Sequence, residues 1–167
     1  SKGQQFRAEL DAQHRLSGEA AQRLAAAAAG LEHNGQGRAV IEALGPGQTR
    51  LQDLAGVRES ALALTRTPAE SFQYYTETIA AFLAAAEVMA RSAGDHALQT
   101  RAIATILFLK AKELAGQERA TGAQGFAAGR FEPPLYRRLI ALGASQKALF
   151  DAFEPFASAR AVAGYQG

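Results

Sequence analysis

At 167 residues the chain is long enough for one domain with a substantial core. It has no cysteine, which excludes disulfides, thiolate catalysis and cysteine-ligated zinc but leaves the compartment open. The formal net charge of +2 comes without a block of like charges, so no nucleic-acid partner is expected. No apolar run reaches the ~18 residues of a membrane span.

Alanine is abundant and tryptophan is absent. Alanine is the best helix former, so long, closely packed helices are expected. Residues 4–29 read as a first helix, with Phe6, Leu10, Gln13, Leu16, Ala20, Leu24, Ala27 and Leu31 on a 3.6-residue period. Residues 30–37, rich in glycine, read as a turn. A short helix over 38–44 is expected to break at Gly45-Pro46-Gly47. The next helix spans 48–65, with Leu51, Leu54, Val57, Ala61 and Leu64 inward. Arg58 on it reads as a solvated or ion-paired residue, with a ligand role as the alternative.

Thr67-Pro68-Ala69-Glu70 marks a helix start, with Thr67 as N-cap and Glu70 completing a capping box. That helix spans 68–91, with Phe72, Tyr75, Ile79, Phe82, Ala86 and Met89 inward, and Ser92-Ala93-Gly94 ends it. Asp95 caps a long helix over 95–128, closed by Gly129. Pro133-Pro134 opens a short helix carrying Leu135, Leu139 and Leu142. Ser145 is expected to cap a last helix with Leu149, Phe150, Phe153, Phe156 and Ala157 apolar, kinked at Pro155. No segment reads as a strand. The fold class predicted is all-α, an elongated antiparallel helical bundle whose body is formed by residues 68–91, 95–128 and 145–163.

Leu98, Ala102, Thr105 and Leu109 define an apolar face on the long helix. Carried forward, that face meets Lys112, Gly116 and Arg119, then Ala123 and Phe126. A guanidinium on a buried stripe is costly unless an anion satisfies it. Two readings follow: an internal ion pair between Arg119 and a carboxylate, or a small-anion site with Gly116 opening space beside Arg119. Tyr75, if buried, either finds a backbone partner or touches the anion. His14, His33 and His96 lie on different elements, and no metal-ligand spacing occurs. Glu113 and Glu118 lie about 140° apart on a helix and cannot act as an acid/base pair. Neither enzyme chemistry nor a cofactor is expected.

The segment KELAGQERA followed by FAAGRF resembles the signature of the NIT family, the nitrate- and nitrite-sensing domains of bacterial receptors and regulators. Lys112, Glu113, Ala115, Gly116, Glu118, Arg119, Ala120, Phe126, Gly129 and Phe131 carry the match. Val57-Arg58, Tyr75 with Ile79, and Gln146 with Phe153 match family tendencies more weakly. SKGQQF at the start resembles the stretch that follows the family's first motif, an E-R-G helix whose arginine is thought to help hold the anion. The resemblance therefore leads us to expect one NIT-like sensor domain over 1–167 without that first helix. His14 and Gly18 stand where the family pattern would have Arg and Asp, with Gln13 and Arg15 nearby.

The resemblance implies a sensor domain of a membrane-anchored chemoreceptor or sensor kinase, between two membrane helices in the periplasm. A cytoplasmic place is the alternative, since soluble members are fused to an RNA-binding antitermination domain. It implies nitrate or nitrite as ligand, with Arg119 the primary contact, Gly116 giving room, and Tyr75 or Lys112 secondary. A homodimer is expected, because receptors of this type signal as dimers. The competing expectations are a helical docking module, or a divergent sensor of another ligand, with Arg119 in an internal ion pair.

Overall fold

The computed structural model describes residues 7–31 and 35–166. The expectations for SKGQQF, for Phe6 and for the turn residues 32–34 lie outside these. Among the described residues six α-helices follow in order: α1 (Arg7–Ala29), α2 (Gly35–Leu62), α3 (Pro68–Ser92), α4 (His96–Ala127), α5 (Pro133–Phe153) and α6 (Ala159–Gln166), with a 3-10 turn at Glu154–Phe156. No strand occurs among the described residues. The all-α bundle is as the sequence predicts.

Cross-helix contacts fix the directions. Arg50 on α2 meets Glu77 on α3, while Gly47, earlier on α2, sits under Phe82, later on α3. Lys110 on α4 pairs with Glu87 on α3. Glu118 on α4 accepts from Gln146 on α5, and Phe108, earlier on α4, meets Phe153, later on α5. Thr121, later on α4, lines one groove with Phe72, earlier on α3, so residue numbers rise on one helix as they fall on its neighbour in all three pairs, and α2 to α5 run alternately up and down. α1 joins at its end: Ala28 is buried with Val40, Leu44 and Ala85, and Leu24 packs against them.

The helix ends that carry their own chemistry lie where expected. Thr67 Oγ1 accepts the Glu70 N–H at 3.2 Å, and the Glu70 carboxylate accepts the Thr67 N–H at 2.8 Å. The Asp95 carboxylate accepts the Leu98 N–H at 2.9 Å. At the far end of α4, Gly129 takes φ +68. Its N–H donates to the Phe126 carbonyl at 3.1 Å, and the Arg130 N–H donates to the Gly125 carbonyl at 3.1 Å. This is the paired closure of a Schellman end, which needs a left-handed residue and hence glycine. Phe131 then folds back over Gly125, where an added Cβ would lie 2.2 Å from its ring, and meets Phe126 edge-on at 5.3 Å.

Three expectations are corrected. Gly45-Pro46-Gly47 does not break the chain, because α2 runs through Pro46 without interruption. An interior proline costs about 3 kcal/mol. Here the surrounding turn is held by tertiary contact: Leu44 is buried, and Gly47 lets the Phe82 ring approach to 2.7 Å of where a Cβ would stand. Ser145 caps nothing, since α5 is continuous from Pro133 to Phe153 with no proline or left-handed residue to stop it. The expected body helix over 145–163 is instead the second half of α5, a 3-10 turn containing Pro155, and α6. The α5 half of that segment does pack on α4, and α2 joins α3, α4 and α5 in the body.

Several faces are also rotated from those expected. Tyr74, not Tyr75, is the buried tyrosine of α3, its hydroxyl donating to the Arg50 carbonyl. Ile79 and Met89 are exposed, and Thr78, Ala85 and Ala90 are buried instead. On α1, Leu10 and Leu16 are exposed. On α4 the core face is Ala104, Ile106, Ala111, Thr121, Gly122 and Gly125, while Leu98 and Leu109 face solvent.

The α3 cap yields a testable pH dependence. Hydrogen bonds from the Thr67 side chain, then its backbone N–H, hold the Glu70 carboxyl below its ordinary value of 4.5. A lowered folded value means stability present above pH 4.5 that is lost as pH falls through the folded value. The melting temperature of the wild type should therefore exceed that of Glu70→Gln at pH 7, and the gap should close on acidification below about 4.5. Thermal melts from pH 7 to 3 read this directly; a constant gap would contradict it.

Candidate functional site

The α4 segment from Lys110 to Arg119 carries three cations and two acids. Both acids are engaged within the protein. Glu113 accepts from Gln117 at 3.0 Å, and Glu118 accepts from Gln146 at 3.4 Å. Of the cations, Lys110 is tied to Glu87. Lys112 and Arg119 are exposed, and neither makes a hydrogen bond or ion pair with a described residue. Of the two readings, the internal ion pair of Arg119 does not form with any described residue, and Arg119 stands on an exposed face rather than a buried stripe. The apolar stripe through Leu98, Leu109 and Arg119 is the outer face of α4, opposite Ala111 and Thr121.

Gly116 lies between the two free cations on this outer face. A Cβ there would meet nothing within 4 Å, so the surface between Lys112 and Arg119 is open. Seven residues separate the cations, two helical turns or roughly 10 Å. Tyr75 is not brought to this group. It is 38% exposed on α3, its ring edge-on to Tyr74 at 5.4 Å, and no hydrogen bond joins it to Arg119.

Arg58 holds a different junction. Its guanidinium donates to Ser17 Oγ at 2.8 Å and to the His14 carbonyl at 3.4 Å, fixing α1 against α2. Its Nε is buried without a partner. Burial and the nearby Arg58 charge push His14 below its ordinary value of 6.5. The sequence reading of Arg58 as solvated or ion-paired missed this clamp, because its partners are a carbonyl and a hydroxyl more than forty residues away.

The motif residues thus divide into two groups. Phe126, Gly129 and Phe131 build the helix end. Lys112, Gly116 and Arg119 build an exposed cationic strip that the fold itself does not use. The whole chain, residues 1–167, matches the sequence profile of the family described as nitrate and nitrite sensing. The chain belongs to the NIT family. A stretch of 66 residues is 42% identical to the nitrate regulatory protein of Klebsiella oxytoca, covering 40% of this chain and 17% of that protein. No solved structure matches the chain. NIT membership makes nitrate and nitrite sensing the function class of this domain. No helix among the described residues is long and apolar enough to cross a membrane.

Proposed function

We propose that this NIT domain binds nitrate or nitrite on the outer face of α4, with Arg119 as the primary ligand. The observation that carries the reading is the free state of Arg119 in a segment whose acids are both engaged elsewhere. Nitrate is planar and monoanionic, so two of its oxygens can accept parallel N–H bonds from one guanidinium, a geometry lysine does not offer. Gly116 leaves the approach open, and Lys112 on the same face serves as a secondary contact, while Tyr75 on α3 takes no part. Charge-assisted hydrogen bonds contribute about 1.5–3 kcal/mol each, whereas micromolar affinity needs roughly 8 kcal/mol. A second cation from a segment covering this face would complete the site. The domain then works as the periplasmic sensor of a membrane-anchored receptor, a chemoreceptor or sensor kinase, as a homodimer and without catalysis. Binding displaces α4 relative to the helix that covers it.

Nitrate should raise the melting temperature of the wild type, since a ligand selective for the folded state stabilises it by RT ln(1 + [L]/Kd). The same titration with Arg119→Ala and Arg119→Lys, in a chain extended upstream, tests the assignment. Alanine should abolish the shift and lysine should retain only part of it. Equal shifts in all three proteins would remove Arg119 from the ligand role.

A further inference from the structure

A separate groove of about 790 Å³ opens between α3, α4 and α5. Its walls include Phe72, Thr76 and Glu77 from α3, Ala120 and Thr121 from α4, and Arg138 from α5. It does not include Arg119. The Arg138 guanidinium lies over the Phe72 ring, 5.0 Å from its centroid. A cation over a ring is held by the ring's quadrupole and spends none of its N–H donors on that contact. Arg138 makes no hydrogen bond or ion pair with a described residue, so its N–H edge is unengaged.

The acid in the same groove is already answered. Glu77 accepts from Arg50 at 2.5 Å and from Gln73 at 2.8 Å. These two hydrogen bonds, Gln73 first, hold its carboxyl below the ordinary range. Its charge is thus balanced by Arg50, and Arg138 supplies the remaining positive charge. The lining is apolar along Phe72 and Ala120, with the Thr76 hydroxyl beside it. The space lies in the usual range for small-molecule sites, about 300–1,000 Å³, and far exceeds what a three-oxygen anion fills.

We propose that this groove is a second ligand site, for a small organic carboxylate seated on the Arg138 edge with its apolar body along Phe72 and Ala120. A planar carboxylate matches the fork of a guanidinium, which offers two parallel N–H bonds, and the ring contact keeps the cation beside the groove. The site goes beyond nitrate sensing and does not depend on it.

Calorimetric titration of the 167-residue chain with benzoate tests the proposal, on the wild type, Arg138→Gln and Arg119→Gln. Arg138 is exposed, so its replacement leaves the core untouched, and an unchanged helical circular dichroism spectrum verifies folding. Benzoate should bind the wild type and Arg119→Gln alike, and at least tenfold more weakly to Arg138→Gln. No binding by the folded wild type at millimolar benzoate would overturn the proposal. So would equal affinity in Arg138→Gln, or a loss confined to Arg119→Gln, which would place benzoate on the outer face of α4. Nitrate titrated in parallel keeps the two sites distinct, since its response should follow Arg119 and ignore Arg138.

Discussion

Phe153→Ala is expected to lower the unfolding free energy by about 3–5 kcal/mol, the range for removing a buried phenylalanine. Phe153 is 5% exposed, and its ring lies 5.9 Å from Phe108, which also meets Phe150 at 6.3 Å. The three rings join the first half of α4 to the end of α5, where few other large side chains are enclosed. Native domains are stable by about 5–15 kcal/mol, so this one truncation would remove a large share. Urea unfolding of the two proteins measures the difference. A loss below about 1 kcal/mol would show that the site collapses around the cavity, or that Phe153 is less enclosed than described.

Ala85→Leu should act in the opposite sense, by overfilling. Ala85 is 1% exposed at the point where Ala28 of α1, Val40 and Leu44 of α2, and α3 converge. Extra carbon atoms in a closed core cost about 1–3 kcal/mol through displaced helices and strained rotamers. The weakest attachment there is α1, which is held mainly by this cluster and by Arg58. The expected result is therefore local: α1 should come away before α2 to α5 melt. Limited trypsin digestion should cut faster at Arg15 and Arg23 in the variant, while the rest of the bundle resists. Uniform digestion of the whole chain would mean that the cluster supports all three helices equally.

What could be read from the sequence was local. The capping box at Thr67, the Asp95 cap and the Gly129 closure each need only a few adjacent residues, and each lies where the sequence places it. Pro46 and Ser145 misled for the complementary reason. A proline signal is also local, yet α2 continues through Pro46, packed there against Phe82, thirty-six residues away. Ser145 has the chemistry of a cap but lies in a helix with no reason to end.

Choosing between Tyr74 and Tyr75 also exceeds what periodicity holds. Adjacent residues lie about 100° apart, so a helix turned by one position exchanges them. The stripe through Leu98 and Leu109 is apolar in the sequence and lies on the exposed side of α4. A pattern says that a face is apolar, not which neighbour covers it, so Arg119 was expected inside and stands outside. The residues of the proposed anion site were legible through the family motif. The groove at Arg138 was not, because its walls come from three helices and its key contact pairs an arginine with a ring sixty-six positions away.

The corner at the end of α4 also has a mechanical meaning. Phe131 is clamped on Gly125, and the two crossed backbone bonds at Gly129 and Arg130 leave no slack between α4 and α5. The aromatic group at Phe108 and Phe153 fastens the first half of α4 to the far end of α5. Held at these two points, α4 and α5 behave as one stiff beam over the roughly 30 Å between them, with the start of α4 projecting beyond. A push received near Arg119 would not bend α4 alone. It would tilt the beam, so the movement should be largest at the remote end, where α4 begins and α6 follows α5.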